Sequence, residues 1–305
     1  MNYLITTLCP KKCPYCFFPS QQKGTISDMT LETFIECFEH QCKISLGIRR
    51  RVALLGGEPT VAKSFKDIVG FITNNLFRVN NFLIFSNLSG VENVKWLAQQ
   101  CFEDIEFVMI WNSTGLSSYA HTLRKKVYDS LEILKKAKIK ITASITMEYH
   151  QEVKDFEYLI DAKRNYNISN IRFALDTGSL PEFRTKSNTV FQVLRFLQDN
   201  EFSIGIDGCG SPALNIFNQA QIKDMLKING IDIHCGGSAG IDILPDGTCI
   251  PCMPYLSYTG QRPKLTDLKS LDDLKEFYGF TPRTKMLCPA HENIARLNML
   301  SLKKD

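Results

Sequence analysis

From residue 2 to residue 206 the chain alternates short apolar runs with longer segments whose apolar residues recur at helical spacing. Residues 2–8, 51–55, 81–85, 105–111, 139–147 and 171–175 read as strands, and 29–46, 64–76, 91–101, 123–137, 153–164 and 190–199 as helices. In the first helix Leu31, Phe34, Ile35 and Phe38 mark the apolar face, and Ser27 and Asp28 are the expected caps. Six strand-then-helix units in succession confine the chain to a parallel sheet with right-handed crossovers. The count suits a partial barrel or a doubly wound sheet, and in either one ligands gather at the carboxyl ends of the strands. After about residue 200 the pattern changes to a strand at 202–206, a loop at 207–210, a helix at 213–226 and a hairpin. In the hairpin, 241–244 and 248–250 flank Pro245-Asp246-Gly247. We therefore divide the chain into a barrel at 1–205 and a smaller domain at 206–305, packed together because no long linker separates them.

Composition narrows the function. Hydrophobic residues make up 44% and charged residues 22%, as in soluble globular proteins. With 36 basic and 32 acidic residues, the charge of +4 is too small to point to nucleic acid. No apolar run reaches the roughly 18 to 20 residues that span a bilayer. Residues 1–8 carry neither a basic leader nor a signal-length apolar stretch, so a cytoplasmic protein is expected. The eleven cysteines then read as metal ligands or catalytic groups, because that compartment reduces ordinary disulfides. Cys9, Cys13 and Cys16 crowd the N-terminus, and Cys209, Cys235, Cys249, Cys252 and Cys288 lie in the last third. Cys37, Cys42 and Cys101 sit in helix-like segments and are expected to be small apolar filler.

Cys9-Pro-Lys-Lys-Cys13-Pro-Tyr-Cys16 is a C-x3-C-x2-C loop after the first strand. Structural zinc takes four protein ligands, so a zinc knuckle here needs a distant fourth, for which His40 is the nearby histidine. A 4Fe–4S cluster on three thiolates instead leaves one iron open to a ligand. Lys11 and Lys12 would offset cluster charge. Gly56-Gly57-Glu58-Pro59-Thr60 ends the second strand; the two glycines are expected to let backbone approach a ligand closely, with Glu58 at the sheet's carboxyl edge.

Together, Cys9, Cys13, Cys16 and Gly56-Gly57-Glu58-Pro59 resemble the radical S-adenosylmethionine (SAM) enzymes. Tyr15 and Phe17, beside the third cysteine, fit the aromatic residue usual there. The resemblance implies an α/β fold, a partial (β/α)6 TIM-like barrel. It also implies a 4Fe–4S cluster whose open iron chelates SAM, with one-electron cleavage of the sulfonium giving a 5′-deoxyadenosyl radical that abstracts substrate hydrogen. An electron donor such as flavodoxin or ferredoxin is implied with it. Gly56, Gly57 and Glu58 match the segment receiving the SAM amino group. Ser86-Asn87 stands where relatives have Thr-Asn-Gly, with Leu88 in place of the glycine. Trp111-Asn112-Ser113 differs from the Ser-x-Asp-Gly of relatives, and Arg124 falls where many carry an arginine that pairs with the SAM carboxylate.

Cys235, Gly247 and Cys252 around the hairpin resemble the opening of the SPASM and twitch extensions, where a cysteine on each arm holds an auxiliary iron–sulfur cluster. After Cys252 only Cys288 follows, enough for one auxiliary cluster, so the shorter twitch-like form is expected. Cys235 and Cys252 match the hairpin pair, Cys288 is the third ligand and Cys209 the fourth, with Cys249 in reserve and His291 as a substitute. A structural zinc site is the alternative for this set.

The twitch resemblance suggests a net oxidation, either a dehydrogenation or a crosslink. The substrate is a ribosomally made peptide or, alternatively, a small molecule such as a sugar, cyclitol or cofactor precursor. Because the barrel starts at residue 2, an N-terminal peptide-recognition domain is not expected. Substrate contacts are expected at the strand ends, from Asn112, Ser113, Ser144, Arg172 and Asp176. The alternative of another class is a zinc-binding interaction module.

Overall fold

The computed structural model describes residues 1–13, 15–16, 27–44, 50–116, 120–176, 187–206 and 241–279. Nine strands form one sheet in the order β7-β6-β5-β4-β3-β2-β1-β8-β9. They are β1 (Asn2–Thr6), β2 (Arg50–Gly56), β3 (Val79–Ser86), β4 (Glu106–Asn112), β5 (Lys140–Met147), β6 (Asn170–Leu175), β7 (Ser203–Ile206), β8 (Asp242–Ile243) and β9 (Cys249–Ile250). Strands β1 to β7 pair in parallel with their chain neighbours. After β1 to β6 come α1 (Leu31–Ile44), α2 (Phe65–Thr73), α3 (Val91–Leu97), α4 (His121–Lys136), α5 (Tyr158–Tyr166) and α6 (Ser187–Asp199), and α7 (Leu271–Tyr278) closes the described chain.

Strand parity shows which of the two candidate architectures forms. Alternate residues such as Val52, Leu54, Phe82, Ile84, Met109, Trp111, Ala143 and Ile145 join one large core with the helices. Ala53, Leu83, Val108 and Ile110, of the opposite parity, form a second small cluster of strand residues alone, lined by Leu55 and Phe85. Helices therefore cover one face of the sheet, and the other face lines an interior, as in a partial (β/α)6 TIM-like barrel. Under α1 and α2 the outer core is aromatic: Phe34 lies 4.7 Å from Tyr3 and 6.0 Å from Phe71 between ring centroids.

Several local expectations need correction. Thr30, not Ser27 or Asp28, caps α1, its Oγ1 accepting from Thr33 N at 3.1 Å. Asp28 is used elsewhere; it bridges to Thr6, whose hydroxyl donates to its carboxylate. The expected helix at 153–164 is split into a 3-10 turn, Val153–Phe156, and α5, because Glu152 and Asp155 cap each other's backbone and tighten the first turn. Cys37 is buried as expected, but α3 stops at Leu97 and leaves Cys101 exposed beyond it. The expected helix at 213–226 lies outside the described residues.

Strand β8 pairs in parallel with β1 and antiparallel with β9, so the hairpin extends the barrel sheet past its first strand. Its loop is Pro245-Asp246-Gly247: Gly247 N donates to Leu244 O at 2.9 Å, and Leu244 N to Thr248 O at 2.8 Å. Gly247 takes φ +81°, the left-handed residue that ends a three-residue hairpin loop. Asp246 Oδ1 accepts from Thr248 N at 3.0 Å and stiffens the turn. No helix among the described residues is long and apolar enough to cross a membrane.

At the β1–β8 junction Asn2 Nδ2 donates to Asp242 Oδ1 at 2.6 Å. Asp242 is 4% exposed, and burial pushes its carboxyl up from 3.8 to about 6. A raised acid is easier to ionise in the unfolded chain, so the stability that protonated Asp242 contributes is present below pH 3.8 and lost as pH rises to about 6. The loss is of the order of 3 kcal/mol. Asp242→Asn keeps an acceptor for Asn2 and cannot ionise. Its melting temperature is therefore expected to gain several degrees on the wild type between pH 4.5 and 7.5; a gap that stays constant across thermal melts at those two pH values contradicts this account.

Candidate active site

The carboxyl ends of β1, β2 and β3 meet at one buried carboxylate. Glu58 is fully buried after β2. Its Oε1 accepts from Thr60 N at 3.1 Å, Thr60 Oγ1 at 2.5 Å and Ser86 Oγ at 2.5 Å, and its Oε2 accepts from Asn87 N at 2.5 Å. Burial pushes its carboxyl up, and these four donors oppose the rise. Glu58 N in turn donates to Leu8 O at 2.8 Å, and Gly57 N to Thr6 O at 2.7 Å.

The glycines are also required by the fold itself. A Cβ on Gly56 would lie 2.3 Å from Thr6 O, and one on Gly57 would lie 2.3 Å from Leu8 O. The close approach they permit is to the backbone that leads into the cysteine loop. Gly56 also takes φ +138°.

Ser86 and Asn87 end β3. Ser86 Oγ is spent within the fold, donating to Glu58 and accepting from Leu88 N at 2.8 Å. Asn87 faces the cysteine loop, and its Nδ2 lies 3.4 Å from Cys9 Sγ. Leu88 takes φ 64°, a left-handed conformation that costs roughly 1 kcal/mol outside glycine. Its fully buried side chain and the bond from Ser130 Oγ to its carbonyl, 2.9 Å, hold it there.

Cys9, Cys13 and Cys16 are all half-buried on the loop above these strands, with Cys16 N donating to Cys13 O at 3.1 Å. Burial pushes the Cys9 thiol up to about 12, aided by its neighbours Glu58, Cys13 and Cys16. Lys11 anchors the loop across the barrel mouth, Nζ donating to Thr114 O beyond β4 at 2.5 Å, and burial lowers its pKa. Among the described residues no three His, Cys, Asp or Glu side chains close on a point as they would around a single ion. A four-iron cube takes its thiolates at separate corners, so three half-buried thiols on one loop fit it. His40, the candidate fourth ligand for zinc, is committed elsewhere: its Nε2 lies 2.7 Å from Leu268 O.

The expected substrate residues divide by strand register. Asn112 pairs with Ser144, and Ser144 with Arg172, which places the three in one row on the inner face. The Arg172 guanidinium lies over the Phe85 ring, 4.8 Å from its centroid. Ser113 belongs to the other face: it is buried, and Tyr158 OH lies 3.0 Å from both its carbonyl and its Oγ. Its expected substrate role is corrected to a packing one, because one residue's shift in a strand reverses the face. Asp176 follows β6, its N donating to Met147 O at 2.9 Å. Arg124 lies half-buried in the first turn of α4, with no ion pair to a described residue. Glu148, just past β5 and missed in the sequence, is 8% exposed, and the charges of His150, Asp176 and Lys11 act on its carboxyl. The strand-end rule applied to the other five candidates would have found it.

Of the auxiliary set, Cys252 is half-buried after β9. Cys249 is fully buried in β9, its Sγ donating to Pro263 O at 3.4 Å. Phe17, Cys209, Cys235, Cys288 and His291 lie outside the described residues.

The family model "Radical SAM superfamily" matches residues 3–163, more than half of the sequence, and the chain belongs to that superfamily. It is an enzyme of that class, and membership implies a 4Fe–4S cluster and SAM. SuiB of Streptococcus suis bound to its precursor peptide SuiA is similar in fold, with TM-score 0.62 and 15% identity over 89% of this chain and 63% of SuiB. SuiB bound to S-adenosylmethionine gives 0.61 and 17% over 89% and 64%. Methylornithine synthase PylB gives 0.48 and 13% over 93% and 82%. This chain thus spans less than two thirds of the length of SuiB. No curated protein sequence matches it.

Glu58→Gln tests the buried junction. An amide nitrogen at Oε1 would face Thr60 N–H, and at Oε2 would face Asn87 N–H, so one backbone donor loses its acceptor in either orientation. The expected loss is about 1 to 3 kcal/mol of unfolding free energy in urea titration. An unchanged midpoint would mean that Glu58 does not hold the strand ends together.

Proposed function

We propose that this radical SAM enzyme modifies a peptide. In this reading Cys9, Cys13 and Cys16 hold the SAM-binding 4Fe–4S cluster, and the cysteine-rich segment 206–305 holds one auxiliary iron–sulfur cluster through Cys209, Cys235, Cys252 and Cys288. The observation that carries it is the junction at which Asn87 reaches Cys9 Sγ while Glu58 holds the Asn87 backbone. When bound, the clusters and SAM supply one-electron cleavage of the sulfonium, a hydrogen-abstracting radical and an acceptor for the second electron, so that the substrate is oxidised.

The chain's own residues position and shield these groups. Asn87 donates toward the Cys9 sulfur and eases its negative charge. Lys11 ties the cysteine loop to the end of β4. Gly56, Gly57 and Glu58 present backbone to the SAM amino group, with Ser86, Asn87 and Phe17 beside the cofactor and Arg124 as partner for its carboxylate. Asn112, Ser144 and Arg172 line the interior where substrate enters. A peptide substrate is supported by the fold likeness to SuiB, which was solved with its precursor peptide SuiA. A cytoplasmic location with a ferredoxin or flavodoxin as electron donor completes the proposal.

Purification without oxygen is expected to give brown protein with about eight irons for two clusters. It is also expected to form 5′-deoxyadenosine from SAM under dithionite. Cys9→Ala, Cys13→Ala and Cys16→Ala should each abolish 5′-deoxyadenosine, whereas Cys252→Ser should lower the iron count to about four. Colourless zinc protein that leaves SAM intact would refute the assignment.

A further inference from the structure

We propose that the barrel mouth between the ends of β5 and β6 is a cation-recognition subsite, where Glu148 and Asp176 receive an ammonium or guanidinium group of the substrate. The proposal rests on the barrel mouth being the substrate site, and it adds the charge of what enters there.

Glu148 has only 8% of its surface exposed. Its backbone N is held by Gln151 Oε1 at 2.9 Å, but its carboxylate makes no hydrogen bond and no ion pair with any described residue. Its side chain is packed in, while its carboxylate oxygens are not among the fully buried partnerless atoms and so stay accessible to a ligand. Ser144 and Thr146 face inward on β5, and Glu148 is the next residue of that parity, just past the strand end. Asp176 extends β6 alongside, its N bonded to Met147 O at 2.9 Å.

Electrostatics select the ligand's sign. Burial pushes the Glu148 carboxyl up; His150 opposes this more than the Asp176 charge adds to it, Lys11 opposes it less, and neither cation forms an ion pair with Glu148. Lys11 is anchored on Thr114 O rather than on Glu148. Two carboxylates side by side, one without a partner, repel an anion and are stabilised by a cation. An amine or guanidinium placed between them would satisfy Glu148. The rest of the substrate would then reach inward along Asn112, Ser144 and Arg172, toward the side of the barrel where Asn87 meets Cys9.

The test uses full-length protein purified anaerobically with its iron, and calorimetric titration at low salt. The probes are acetylated, amidated Gly-Gly-Lys-Gly-Gly, the same peptide with norleucine in place of lysine, and 1-aminopentane. The lysine peptide is expected to bind at least tenfold more tightly than the norleucine peptide, with a preference that weakens as salt rises. Glu148→Gln and Asp176→Asn should each cut that preference about tenfold, and Glu132→Gln on the outer helix α4 should leave it intact. Circular dichroism of each variant checks folding, and either of the two variants suffices. Equal binding of the two peptides, no binding of either, or a preference that survives in Glu148→Gln overturns the subsite. Binding of 1-aminopentane as tight as that of the lysine peptide supports the subsite and makes the substrate a small amine; weaker binding supports a basic residue within a peptide. Failure of the wild type to form 5′-deoxyadenosine sinks the enzymatic reading separately, whatever the amines do.

Discussion

One carboxylate, removed from water, holds the working end of the barrel together. Glu58 accepts from its own turn and from the end of β3, while its backbone nitrogen reaches the segment that follows β1. Three consecutive strands therefore finish at one point. The cost of burying the charge is offset by several donors, two of them backbone N–H groups whose positions cannot adjust. From this junction Asn87 is aimed at Cys9, so the stability of the fold and the placement of the cysteine loop share the same atoms.

The same economy appears in the backbone. Gly56 and Gly57 lack side chains because the chain entering the cysteine loop passes where their Cβ atoms would be. Leu88 shows the converse case, a residue held in a glycine-like conformation because its side chain is buried and its carbonyl is bonded from α4. A strained φ persists when its surroundings over-determine it. Around the rest of the mouth, polar residues face inward from β4, β5 and β6 while the helices cover the opposite face, so the chemistry is confined to a sheltered edge.

Much of this was legible in the residues. The six strand–helix units, the cysteine loop and the Gly-Gly-Glu turn announced the architecture, because burial patterns of period two and three to four are local properties. Element ends were less legible. The helix at 153–164 was broken by a capping box, and Thr30 took the cap expected of Ser27 or Asp28 because Asp28 was claimed by Thr6. Of the strand-end residues expected to meet substrate, Asn112, Ser144 and Arg172 lie in one row on the inner face, whereas Ser113 turned to Tyr158 and Glu148 went unnoticed. Both misses come from facing: a strand's register decides which side chain reaches the interior, and register is set by the neighbouring strands.

Taken alone, the order of amino acids sufficed for the class of fold, the donor atoms available for a cluster and the family, since each depends on residue type and short spacing. The strand–helix count left a barrel or a doubly wound sheet open, and the helices on one face with an interior on the other give the barrel that the resemblance implied. Only folding joined the hairpin at 241–250 to β1 and committed Glu58 to binding the strand ends. It also left the Glu148 carboxylate at the mouth with no hydrogen bond or ion pair to a described residue. These outcomes rest on contacts between residues far apart in the chain, whose geometry is fixed by packing and pairing across the whole sheet rather than by any local preference.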